Sequence, residues 1–242
     1  MYATIQKENN VIAMLKNAFT NKALISIIAA SIVMLFAQMT LQSMANYVYP
    51  NFYGNTAAQS ASTVVMLVGA ILAAGIAKPV SVRFGKAEVA VVASFVAATV
   101  CILLFFLRPQ NVWVYVILQA VCWLGPGVFS MISWALITDV IDYSELKNGI
   151  REDGSVYALY SFARKLGQAA AAGLTGTMLT AIGYTDATAF DEPVRNGIFN
   201  ISTLVPAIGF LLLGLVLWLW YPLHKAQVEA NVEALRKKHQ TK

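Results

Sequence analysis

Long uncharged runs alternate with short charged connections along this chain. Six stretches contain no Asp, Glu, Lys or Arg: Ala23–Val48, Ala57–Ala77, Val89–Leu107, Val112–Thr138, Leu166–Thr185 and Ile198–Leu223. About 20 apolar residues at ~1.5 Å rise cross a ~30 Å hydrocarbon core, so each run predicts a membrane-spanning helix. Spanning strands would be about 9–11 residues long and alternate polar with apolar, and these runs do neither. The expected architecture is an all-α membrane protein. It divides into a lead over 1–22, a six-helix bundle over 23–223, and a tail over 224–242 in which Val228, Val232 and Leu235 alternate with charges as in an amphipathic helix. Asn21 stands where a cap of the first helix is expected.

Composition agrees with a membrane chain: 58% of the 242 residues are hydrophobic and 12% charged, against roughly 25% charged in soluble domains. The few charges orient the spans, because short cytoplasmic loops collect Lys and Arg. With both termini inside, only Arg108 and Arg195 of the 17 basic residues fall outside. The net charge of +5 therefore reflects topology and does not point to nucleic acid. No cleavable signal is expected, since the first 22 residues are polar and the first apolar run is too long for a signal core. Cys101 and Cys122 lie within apolar runs and read as small hydrophobes. His224 and His239 are isolated, and no metal is expected.

Two polar stripes interrupt the apolar helices. In the first span Ser31, Gln38, Gln42, Asn46 and Tyr49 fall within roughly an 80° sector. In the fourth, Gln119, Trp123, Ser130, Ser133 and Trp134 fall within roughly 100°, with Gly125-Pro126-Gly127 expected to break or bend the helix. Unpaired amides are costly in lipid, so both stripes must meet protein or a watered cavity. Interhelical hydrogen bonding is the plain reading and a solute pathway the sharper one. Gly69, Gly75, Gly173 and Gly176 are expected at close helix contacts. The segment DVIDYSELKNGIREDG (139–154) concentrates charge between two spans, and a solvated loop is its plain reading.

That segment, continued by Tyr157-Ala-Leu-Tyr160-Ser-Phe-Ala-Arg164-Lys165-Leu-Gly167-Gln168, resembles the glycoside-pentoside-hexuronide:cation symporters of the major facilitator superfamily. The ending Asn46-Tyr-Val-Tyr-Pro50 with Asn51-Phe-Tyr-Gly54, and Trp220-Tyr-Pro-Leu223, resemble ends of the family's seventh and twelfth helices. The Arg-Lys-Leu-Gly-Gln wording is most similar to glucuronide and xyloside transporters. The resemblance implies helices 7–12 of a twelve-helix transporter in which two bundles rock around a sugar site. It implies a sugar:cation symporter half in the cell membrane, not an enzyme. A separate chain carrying the amino-terminal half is an expected partner. No cofactor is implied beyond a coupling Na⁺ or H⁺, whose site lies mainly on acidic residues of the other half.

Solute-binding candidates are Gln38, Gln42, Asn46, Gln119, Trp123, Tyr160 and Ser161. Lys165 matches a functionally important lysine of the family's eleventh helix, the alternative being a residue that snorkels at the end of a span. Asp139, Asp142, Glu145 and Arg151 are the candidate cytoplasmic gate, and Pro79, Arg83, Gly85 and Lys86 resemble the short basic gate loop of major facilitator proteins. A membrane scaffold or an inactive transporter fragment is the rival reading. A membrane-embedded enzyme lacks the motifs it would need, such as Gly-x-Ser-x-Gly or His-Glu-x-x-His.

Overall fold

A computed structural model describes residues 20–149, 151 and 153–240, so most of the expected lead lies outside the described residues. Helix α1 (Lys22–Tyr47) starts where Asn21 Oδ1 accepts the amides of Ala23 and Leu24 at 3.1 and 3.2 Å. It runs on as a wide π-turn over Val48–Phe52. Pro50 sits in that turn and has no amide N–H to continue the regular ladder, and Tyr53 N closes it on Val48 O at 3.1 Å. Helix α2 (Thr56–Phe84) is capped by Asn55 and reaches α3 (Lys86–Leu107) through Gly85 alone, whose φ of 103° suits only glycine. Helix α4 (Val112–Asn148) begins at the Asn111 cap and ends at Gly149. Helices α5 (Asp153–Ala181), α6 (Glu192–Leu215, with a π-turn at Val216–Trp220) and α7 (Lys225–Gln240) complete the chain.

Five of these helices are long and apolar enough to cross a membrane, spanning Lys22–Phe52, Thr56–Phe84, Lys86–Leu107, Val112–Asn148 and Glu192–Trp220. The sixth expected span lies in α5, which has 29 residues but carries Arg164, Lys165 and Gln168 along its length. The described residues contain no strand, and the chain is an all-α, multi-pass membrane protein.

The helices meet in the order α5, α1, α6, α3, α4, α2, with direct contact also between α1 and α4. Thus α1, α6, α3 and α4 form an inner group, while α2 and α5 flank it and α5 barely touches α4. One apolar cluster fills the end where α1 begins, around Leu24, Ile27, Met34, Phe129, Leu136 and Tyr221. A second fills the opposite end, around Leu41, Met44, Tyr115, Phe199 and Phe210. Most of α2 is uncovered, with Leu67, Ile71 and Ile76 each more than half exposed.

Three expectations are corrected here. The Gly125-Pro126-Gly127 segment does not interrupt α4, which stays helical throughout. Gly125 instead admits α3: a Cβ there would lie 2.6 Å from Ala97 Cβ and 2.9 Å from Ala93 O. Gly69, Gly75, Gly173 and Gly176 meet nothing within 4 Å, and close approaches between helices occur elsewhere, among them at Gly125, at Gly214 against Phe95 of α3, and at Gly209, which abuts Ala37 of α1. In α7, Val232 is exposed while Asn231 and Leu235 are buried, because the helix lies against α4 and α3 and its contact face passes through 228, 231 and 235.

Candidate functional site

The polar stripe of α1 meets different neighbours along its length. Near the start, Ser31 Oγ donates to Tyr160 Oη of α5 at 2.8 Å. At the far end, Tyr49 Oη donates to Gln119 Oε1 of α4 at 2.6 Å, and Gln119 Nε2 donates to Tyr115 Oη at 3.4 Å. Gln119 is fully buried, with both ends of its amide engaged, so it ties α1 to α4. Between these points Gln38 is half-buried and Gln42 and Asn46 are exposed, Asn46 accepting from Gln59 Nε2 of α2 at 2.8 Å. Trp123 is half-buried among the second apolar cluster, and its buried indole N–H has no partner.

Tyr160 anchors an aromatic group that joins α1, α4 and α5. Its ring meets Trp134 edge-on at 5.7 Å, and Tyr157 lies 6.1 Å from the same indole. The Arg164 guanidinium stands over both Trp134 (5.9 Å) and Tyr160 (5.6 Å), and its Nη1 donates to Tyr160 Oη at 3.2 Å. Ser161 and Lys165 are exposed on the uncovered side of α5, and Lys165 Nζ donates to Gln168 Oε1 at 3.2 Å. Lys165 stands among the candidates visible in the sequence, and Arg164 does not. The available signal was spacing: Arg164 follows Tyr160 by four residues, one helical turn.

The acidic residues after the fourth span separate into two groups. Asp139, nearly buried, receives Lys86 Nζ at 2.6 Å, tying α4 to the first residue of α3. Arg151 instead gathers Asp142 (2.9 Å), Glu145 (3.0 Å) and Asp153 (3.0 Å) at the α4–α5 connection. The hydrogen bond that Arg151 donates to Asp142, then that to Glu145, raises the Arg151 pKa above its ordinary value. Close by, Glu88 Oε1 accepts the Lys225 amide at 2.9 Å and fixes the start of α7 beside Gly85. At the opposite end Arg108 donates to Asn196 and Asn200 of α6, and Arg195 donates to Phe52 O. Those two arginines fasten helix ends together.

A bundle of this construction, with polar groups on one side and charge clusters at one end, is what half of a major facilitator would present. The family model for MFS/sugar transport proteins matches residues 3–225. The chain belongs to this family. Similar members include the uncharacterized symporter YjmB of Bacillus subtilis (strain 168), 28% identical over 93% of this chain and 49% of that protein. The putative sulfoquinovose importer of Escherichia coli (strain K12) is 31% identical over 71% of this chain and 37% of that protein. The glucuronide carrier protein homolog of the same organism is 31% identical over 65% of this chain and 34% of that protein. The chain spans about half the length, or less, of the curated relatives it matches. Within this family of sugar transporters it corresponds to one bundle, as the resemblance to the glycoside-pentoside-hexuronide symporters implied.

Proposed function

We propose that this chain forms the second bundle of a sugar:cation symporter. In this reading it supplies one wall of a glycoside cavity and one side of a gate, and works with a first six-helix bundle, joined or separate. The observation that carries the reading is the group around Arg164, where Ser31, Trp134, Tyr157 and Tyr160 bring hydroxyls and flat rings from three helices together. Sugar rings stack on aromatic faces, and their hydroxyls need such donors and acceptors. Exposed Gln42, Asn46, Ser161 and Lys165 extend the polar surface of α1 and α5 toward the side that a second bundle would cover. The gate comprises two ionic fasteners, Lys86–Asp139 and Arg151 with Asp142 and Glu145, at the end assigned to the cytoplasm by its basic residues. The carboxylates of α3 and α4 sit at that end: Glu88 lies in the first turn of α3, and Asp139, Asp142 and Glu145 lie in the last turns of α4. A coupling Na⁺ or H⁺ then draws its carboxylates from the other bundle.

A scaffold role is the second reading, and the engagement of Gln119 and Asn46 in helix contacts favours it. Uptake of labelled β-glucosides, xylosides and glucuronides into proteoliposomes holding only this chain tests the first. Equilibration without accumulation is expected under imposed Na⁺ or proton gradients. Accumulation above the external concentration refutes the division of labour between bundles, and the absence of any glycoside binding favours the scaffold.

A further inference from the structure

We propose that Cys101 and Cys122 form an oxidation site, a dithiol that hydrogen peroxide converts into a disulfide stapling α3 to α4. The proposal is independent of the sugar-transport reading.

Helix packing brings the two thiols together. Gly125 lets α4 approach α3 so closely that a Cβ there would lie 2.6 Å from Ala97 Cβ. Cys101 follows Ala97 by four residues on α3, and Cys122 precedes Gly125 by three on α4. In this antiparallel pair both cysteines therefore stand one turn from the close approach, on the side of the α3–α4 connection. That register sets sulfur against sulfur, and Cys101 Sγ donates to Cys122 Sγ at 3.1 Å. A disulfide has its sulfurs about 2.05 Å apart, so the bond closes with a movement of about 1 Å, within reach of small rotations of two short side chains. The chain holds two cysteines, so neither thiol has another partner within it.

Burial selects the oxidant and the product. Both cysteines are fully buried in the second apolar cluster, where bulky or charged oxidants are excluded. Hydrogen peroxide is small and uncharged, and it enters on local opening of the helix pair. One thiol gives an electron pair to a peroxide oxygen, the O–O bond breaks, and a sulfenic acid and one water result. This step is slow, because a thiol in apolar surroundings holds little of the reactive thiolate. The second sulfur, already in contact, then attacks the sulfenic sulfur. The S–S bond forms, the S–O bond breaks, and the hydroxyl leaves with the thiol proton as a second water. Two thiols lose two electrons in all, and one peroxide is reduced to two waters. Contact between the sulfurs makes the second step outrun further oxidation to sulfinic acid. The closed bond constrains the loop over 101–122 in the unfolded chain and so stabilises the helix pair.

The test treats the full chain in lipid nanodiscs with hydrogen peroxide, unfolds it in SDS with excess N-ethylmaleimide, and counts maleimide adducts by mass spectrometry. The count is expected to fall from two to none, and to return to two when a phosphine reductant precedes the maleimide. Chymotryptic fragments joined through Cys101 and Cys122 are expected from a chain that runs as a monomer on a non-reducing gel. The variant Cys122→Ala/Val121→Cys turns one thiol away by about 100° and is expected to close no bond between the two positions. The oxidised unaltered chain is expected to melt about 5 °C above the reduced one. Two adducts that persist after peroxide, disulfide-linked dimers in place of the monomer, or equal closure in the shifted variant overturns the proposal. A closed bond that leaves the melting temperature unchanged overturns its role as a staple.

Discussion

Asp139 is nearly buried, its side chain 6% exposed, and among the described residues the 2.6 Å contact from Lys86 to Oδ1 is the sole partner of its two oxygens, Oδ2 having none. The Lys86 side chain is 34% exposed and also reaches Ala135 O at 3.4 Å. Loss of one member of a buried pair costs about 3–5 kcal/mol, and exposed pairs contribute under about 1. This pair is asymmetric, so the two deletions should differ. Lys86→Met leaves a carboxylate with no partner on either oxygen and is expected to destabilise by ~3 kcal/mol. Asp139→Asn leaves an ammonium that water can still reach, and is expected to cost ~1 kcal/mol. The double variant Lys86→Met/Asp139→Asn removes both charges, so its cost should fall below the sum, with a coupling of ~2 kcal/mol. Reversible unfolding in mixed detergent micelles, followed by tryptophan fluorescence, measures all three. Equal costs for the two single changes, or a coupling below ~0.5 kcal/mol, would refute the claim that burial of Asp139 makes this contact a fastener.

Three further substitutions probe the joints between helices, the first two by the same unfolding measurement. Arg108→Ala removes the bonds to Asn196 and Asn200 and should cost ~1–3 kcal/mol, and unchanged stability would show those bonds to be idle. Gln119→Leu strands the buried Tyr49 hydroxyl and should likewise cost ~1–3 kcal/mol, and unchanged stability would show the Tyr49 bond to be unimportant. Gly209→Leu forces a side chain into Ala37 of α1 and should abolish monodisperse elution in detergent; normal elution would mean that α1 and α6 can part without penalty.

Spans and caps were legible because they depend on local composition. Charge-free runs located the five apolar spanning helices, whereas α5 begins at Asp153, well before its run at Leu166, and Asn21 caps α1 as its position suggested. Partners across helices were not legible, since Lys86 and Asp139 stand 53 residues apart and neither carries a local sign of the other. The stripe on α1 was visible as a periodicity, yet periodicity gives direction and not neighbour. Ser31 and Tyr49 point the same way and are buried by different helices, α5 and α4, while Gln42 between them meets open space. Helix α4 resisted reading for another reason. A Gly-Pro-Gly triplet signals a break in an isolated helix, but this one continues as a helix through it, with Gly125 set close against α3.

The distribution of contacts sets where this bundle can yield. Arg108 and Arg195 fasten the ends of α3, α1 and α6 at one extremity. Glycine contacts join α1 to α6 and α3 to α4 within the inner group. Helix α5 stands apart: it packs along α1 and meets α4 mainly through Trp134 with Tyr157 and Tyr160. Arg151 and its carboxylates hold the connection between the two helices. Ring-edge contacts and the exposed Arg151–Asp153 pair re-form at small cost, at about 0.5–1.5 kcal/mol for an aromatic pair and under about 1 for an exposed ionic one. The buried Glu145 makes its bond to Arg151 the firmer part of that connection. Separating α5 from α4 therefore sacrifices little buried apolar area, whereas separating α1 from α6 would open the cores of both clusters. Arg164 lies on the seam between α4 and α5, stacked on a residue of each.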